Sequence, residues 1–242
     1  LQHWLREVVV ESRFFPLLAV LVSMLFFVYP LTLERGEPGL LLTIFLVTMF
    51  LVSIRAISNQ RAMLVVLILV AVPMFLLRIA IGLSGAAWIA IAHGGVSLLF
   101  FLLLMLVCLR RVLERSPVSE DKIIGAICVY LLIGVIFAFV YEIIYLVDPT
   151  SLDVGETMMR TEDTVGTGDF WVFTYFSYVT LTTLGYGDVL PVGLFARSMA
   201  TLEAIVGPLY LAILIARLVS LVDTPASRKE TAGGTGTSPE AP

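Results

Sequence analysis

Six stretches of this chain, residues 14–33, 40–56, 62–80, 87–109, 123–147 and 192–222, run for about twenty residues or more with almost no charge. A bilayer core of about 30 Å requires a helix of that length, because a helix rises about 1.5 Å per residue. The whole composition agrees: 59% of the 242 residues are hydrophobic and 14% charged, where soluble domains run near half apolar and about a quarter charged. The pattern predicts an all-α integral membrane protein with six spanning helices. A seventh apolar stretch, 170–183, is too short to cross and is bounded by a Gly-rich loop and Gly-Tyr-Gly, which predicts a re-entrant segment. Non-helical backbone at membrane depth is tolerated only where protein or a water-filled path encloses it.

Basic residues set the orientation. Arg55 and Arg61 lie between spans two and three, Arg110, Arg111, Arg115 and Lys122 between four and five, and Arg228 and Lys229 after span six. The loop between spans five and six instead carries Asp148, Asp153, Glu156, Glu162, Asp163 and Asp169 against Arg160 alone. Both termini are expected on the cytoplasmic side of the cell membrane, with the acidic loop outside. Residues 1–13 place Leu1, Trp4, Leu5, Val8 and Val9 near helical spacing, which fits an interfacial amphipathic helix or a simple extension of span one. The Pro, Gly, Thr and Ser composition of 223–242 predicts a disordered cytoplasmic tail. Cys108 and Cys128 sit in apolar runs as small fillers, and no cleavable signal peptide is expected. The chain has no paired nucleophile and base, no metal-ligand cluster and no nucleotide motif, so no enzyme, no cofactor and no nucleic-acid partner is expected.

The stretch Thr180-Leu181-Thr182-Thr183-Leu184-Gly185-Tyr186-Gly187-Asp188 resembles the signature of potassium channels, with Leu184 where the family's commonest filter has Val. The likeness extends from about Lys122 to Val222, including the aromatic stretch before the motif, Pro191 after it, and the last span through Glu203, Gly207 and Arg217. The resemblance implies a re-entrant pore helix and selectivity filter, with four subunits around one pore. The carbonyls of Thr183, Leu184, Gly185 and Tyr186 would then hold K⁺ as the permeant ion, the Thr183 hydroxyl adding an innermost ring. A dehydrated cation needs its water replaced by oxygens, and rings of backbone carbonyls supply them; Gly185 and Gly187 reach φ > 0 without steric cost. Thr182 would support the filter, Asp188 would form an anionic outer mouth, and Tyr186 would brace the filter against the aromatic helix. Asp169 is placed to cap that helix, and Trp171, Phe173, Tyr175, Phe176 and Tyr178 could wrap the filter or face lipid. One copy of the motif cannot enclose an ion, so a homotetramer in a lipid bilayer is expected.

The expected organisation is therefore an N-terminal segment 1–13, a voltage-sensor-like four-helix domain without gating charges at 14–109, a linker 110–122, a pore domain 123–222 and the tail 223–242. A gating ligand or an auxiliary domain stays open as a partner. Glu203, at mid-membrane depth, must face protein or water; it reads as a hydrogen bond behind the filter, a charge in the cavity, or a protonated carboxyl satisfied by a carbonyl of its own helix. Gly207-Pro208 predicts a kink, which the resemblance makes a gating hinge; the alternative for Gly207 is helix packing through a small residue. Glu142 either ties span five to the top of span six, as the resemblance implies, or is solvated at the interface. Arg78 and His93 read as lone polar residues. Two rival readings are the pore subunit of a potassium uptake transporter and a less selective cation channel. The single strict motif argues against the first, and Tyr186 against the second.

Overall fold

The computed structural model describes residues 12, 14–28, 38–57, 61–114, 119–155 and 170–222. The amphipathic reading of 1–13, the cap at Asp169, the acids Glu156, Glu162 and Asp163, and the tail 223–242 lie outside them, Ser12 apart. The helices are α1 (Phe15–Ser23, widening into a π-helical turn over Met24–Val28), α2 (Pro38–Ile57), α3 (Arg61–Ser84), α4 (Ala87–Leu113), α5 (Glu120–Val147), α6 (Phe170–Leu181) and α7 (Leu194–Val222). Among them α3, α4, α5 and α7 are long and apolar enough to cross a membrane. The apolar stretches Phe15–Phe26 and Leu42–Ile54 are shorter, as is α6.

Local chemistry places the helix ends. Glu120 and Asp121 occupy the first turn of α5, where acids complement the helix dipole, and Arg110 and Arg111 the last turn of α4, where bases do. Asp121 Oδ1 also accepts the backbone N–H of Phe14 at 3.2 Å, so α1 and α5 begin side by side. Below that contact the Phe14 ring packs over Gly125, where an added Cβ would lie 3.0 Å from the ring and 3.2 Å from Val112. The end of α4, the start of α5 and the start of α1 thus meet at one point.

One apolar core runs through residues 14–109 and 123–222 alike. Its centre is an aromatic chain in which Phe45 of α2 stacks on Phe101 of α4 (6.1 Å), Phe101 on Phe139 of α5 (5.5 Å), and Phe139 meets Phe170 of α6 (4.5 Å). Trp171 closes it edge-on against Phe45 and Phe170. Large rings buried this way supply much of a core's apolar area, and here they join α2, α4 and α5 to the short α6.

Beyond α5 the chain turns through a 3₁₀ segment, Pro149–Ser151, into β1 (Leu152–Asp153), which pairs antiparallel with β2 (Leu190–Pro191) in the register Leu152 with Pro191 and Asp153 with Leu190. Asp148 caps this turn: it accepts hydrogen bonds from the Thr150 hydroxyl (2.6 Å), the Ser151 hydroxyl (2.7 Å) and the Thr150 N–H (3.1 Å). Those donors, Thr150 first, hold its carboxyl below the usual carboxylate range. The Ser151 carbonyl then accepts the N–H groups of Val192 and Gly193. The top of α5 is thereby fastened to the segment that starts α7.

Candidate functional site

The site begins with α6, twelve residues and so about 18 Å long. Its last turn does not end in a cap but hands its carbonyls to the loop that follows. The Val179 carbonyl accepts the N–H of Leu184 (2.9 Å) and of Gly185 (3.4 Å), and Thr180 and Tyr178 take those of Thr183 and Thr182. The amides of the loop are thus turned back toward the helix. The backbone then alternates: φ is +58° at Thr183, +59° at Gly185 and +81° at Gly187, and no other non-glycine among the described residues has positive φ. A β-branched residue in that region is a strained outlier, costing about 1–3 kcal/mol and held only where its surroundings impose it. Alternating the sign of φ turns successive peptide planes so that their carbonyls share one side of the strand. Thr182 through Asp188 are exposed in the single chain.

Three hydroxyl groups, two from the short helix and one from α5, hold these two helices together. Tyr178 donates to the Leu131 carbonyl at 2.7 Å, Ser177 to the Gly134 carbonyl at 2.8 Å, and Tyr130 to the Leu181 carbonyl at 3.4 Å. Gly134 permits this approach, since a Cβ there would lie 2.6 Å from the Tyr178 ring. Tyr130 stacks in turn on Tyr210 of α7, whose hydroxyl donates to Ala126 at 2.8 Å.

Glu203 is fully buried behind this arrangement. Tyr141 of α5 donates to its Oε2 at 2.6 Å, and the Ser177 hydroxyl of α6 lies 2.5 Å from its Oε1. The carboxyl thus joins three helices, α5, α6 and α7.

Glu142 faces α4, where a Cβ on Gly94 would lie 3.8 Å from its Oε2, and it is within electrostatic reach of Arg78 of α3. Adjacent residues on a helix point about 100° apart, and Tyr141 is the one aimed at α7. Arg78 and His93 are not isolated. Arg78 donates from Nε to the Thr43 hydroxyl of α2 at 3.2 Å, His93 lies 3.5 Å from the Ser97 hydroxyl, and His93 also feels the charge of Arg78. All three groups are buried, and each lies within two turns of one end of its helix, so they form one polar layer at one depth.

Around the loop, Asp188 accepts a hydrogen bond from Tyr175 of α6 at 2.5 Å and from the Val189 N–H at 3.1 Å. Nothing in the sequence flagged this pair, which is thirteen residues apart. Thr182 donates from its hydroxyl to the Tyr178 carbonyl at 2.6 Å. Of the five aromatic side chains considered as a cuff, Trp171, Phe173 and Phe176 are buried against other helices of the same chain. Tyr175 and Tyr178, together with Trp171, line a cavity of about 250 Å³ with Leu184, Tyr186 and Met24. Tyr186 is 67% exposed, so the single chain covers only one side of it.

α7 is continuous through Gly207 and Pro208. Gly207 is buried against the end of α6, where an added Cβ would lie 2.2 Å from the Leu181 carbonyl oxygen. That close approach accounts for a glycine at this position.

No curated protein and no solved structure matches the chain. Residues 125–223, less than half of the chain, match the model of a family described as ion channel. The matched stretch runs from α5 through the short helix, the alternating loop and α7.

Proposed function

We propose that four copies of this chain form a potassium-selective channel with six spanning helices per subunit, both termini on the cytoplasmic side of the cell membrane. The observation that carries this reading is the alternation of φ at Thr183, Gly185 and Gly187 within Thr-Thr-Leu-Gly-Tyr-Gly-Asp. It frees the carbonyls of Thr183, Leu184, Gly185 and Tyr186 to replace the water around K⁺. The Thr183 hydroxyl adds the innermost oxygen, and Asp188, held by Tyr175, adds negative charge at the outer mouth. Fourfold assembly is supported by what one chain leaves uncovered: the loop itself, Tyr186, and Ile205, Leu209 and Ile213 along α7, each more than half exposed. In the assembled pore, bending of α7 at Gly207 and Pro208 is the movement that opens the inner end.

Protein reconstituted in vesicles is expected to pass K⁺ far better than Na⁺, and the detergent-solubilised particle to have the mass of four chains. Comparable permeability in bi-ionic reversal potentials would point to a less selective cation channel. A conducting monomer or dimer would overturn the single-pore arrangement.

Voltage is not the stimulus in this reading. A sensor must move charge through the field, about 2.3 kcal/mol per charge per 100 mV. Within α4 the only basic residues besides His93 are Arg110 and Arg111 in the last turn, where the positive-inside rule accounts for them. Arg78 on α3 is held in the buried layer with Thr43 and Glu142. Open probability should change little between about −100 and +100 mV. A steep conductance–voltage curve that persists after Arg110 and Arg111 are neutralised would contradict this.

A further inference from the structure

The hydrogen bonds around Ser177 fix where a proton must be. Its hydroxyl has one hydrogen and sits between two oxygens, the Gly134 carbonyl at 2.8 Å and Glu203 Oε1 at 2.5 Å. A carbonyl can only accept, so the Ser177 hydrogen belongs on the line to Gly134; without it, two oxygens would face each other at 2.8 Å with nothing between them. Ser177 then has only lone pairs to offer Glu203. An ionised carboxylate also has only lone pairs, and the 2.5 Å contact would be repulsive. The second oxygen cannot resolve this, because Oε2 already accepts from the Tyr141 hydroxyl at 2.6 Å. Every contact is satisfied by one assignment: Tyr141 donates to Oε2, Oε1 carries a hydrogen and donates to Ser177, and Ser177 donates to Gly134.

We infer that Glu203 is a neutral carboxylic acid that donates to Ser177 and thereby positions α6, and the filter it carries, against α5 and α7. Its surroundings agree. Glu203, Ser177 and Tyr141 are each fully buried, and the other ionisable groups facing the carboxyl, Tyr130 of α5 and Tyr178 of α6, are hydroxyls with no positive charge to stabilise an anion. A charged group at such a site is costly. The chain of donors also has a direction: it runs from α5 through α7 to α6 and ends on α5, so it ties the short helix to both of its neighbours. The positioning role rests on the filter reading; the protonation state does not.

The test is infrared spectroscopy of the full-length protein in lipid vesicles near neutral pH, where an ordinary glutamate is ionised. The wild type should show the C=O stretch of a protonated carboxylic acid. Glu203→Gln should remove that band, and Ser177→Ala, which deletes the acceptor, should shift it. An amide keeps one donor and one acceptor in the right places, so Glu203→Gln should stay within about threefold of wild-type K⁺ flux, while Glu203→Ala loses about tenfold or more, the scale of an unmade buried hydrogen bond. Absence of the band in the wild type, or a band untouched by Glu203→Gln, would overturn the protonation assignment. Equal flux in the Gln and Ala variants would overturn the positioning role. If the band behaves as expected but the wild type passes no K⁺, the channel reading fails and the protonation assignment stands.

Discussion

Gly185→Ala and Gly187→Ala should each abolish K⁺ flux while leaving the assembled particle intact. The space around the two glycines says why assembly survives: a Cβ added at either would meet nothing within 4 Å in the chain. The obstacle is the backbone, at φ +59° and +81°. An L-residue held there costs about 1–2 kcal/mol, and the proposed assembly of four subunits would incur it four times around one axis. The strand relieves that cost by returning to negative φ, which rotates the peptide plane and swings a carbonyl off its side. The helices are anchored elsewhere, by Tyr178 on Leu131 and by Tyr141 on Glu203, so they do not report the change. Size-exclusion profiles matching wild type, with K⁺ uptake into vesicles reduced to background, are the expected pair of results. Alanine variants that still conducted K⁺ selectively would show that the loop is not the filter.

How much of this was legible in the sequence depends on which kind of information a residue carried. Helix positions followed from where charge stops: the stretches at 87–109 and 123–147 became Ala87–Leu113 and Glu120–Val147, each extended by the polar turn that ends it. The loop was legible because its demand on φ is met by glycine, and glycines are visible in a sequence. The positive φ at Thr183 was not, since nothing in a threonine announces it.

Facing direction was the harder part. α5 is apolar almost all round, so its periodicity does not say which side meets which neighbour. Glu142 was read either as a tie to the last helix or as solvated at the interface, and Tyr141 was given no role; the two point about 100° apart, Tyr141 to Glu203 of α7 and Glu142 to α4. The polar layer of Arg78, His93 and Glu142 was read as single residues because they lie on three helices. Counting each from the end of its helix would have put them at one depth. The Ser177 contact with Glu203 had no such signal: a serine in a helix is unremarkable until the helix beside it is known.

Gly207→Ala separates the two roles open to that residue, and the sign of the effect decides between them. On helix propensity alone the change should stabilise, since alanine is favoured over glycine by about 1 kcal/mol in a helix interior. A pure hinge should therefore become stiffer and more stable, with gating altered and assembly kept. The packing predicts the opposite. The new Cβ would lie 2.2 Å from the Leu181 carbonyl oxygen, far inside contact distance, and 3.2 Å from the Leu181 side chain. A carbonyl in the last turn of α6 cannot rotate aside, because the same turn supplies the Val179 carbonyl that holds Leu184 and Gly185. Either α7 moves off or α6 moves with its loop. Overpacking costs about 1–3 kcal/mol even when side chains can yield, and here backbone must. The variant should lose thermal stability and K⁺ flux together. Gly95→Ala on α4, where a Cβ meets nothing within 4 Å, is the control and should gain stability by about 0.5–1 kcal/mol. If Gly207→Ala instead melts at or above the control with flux preserved, the close approach of α6 and α7 at this point is wrong.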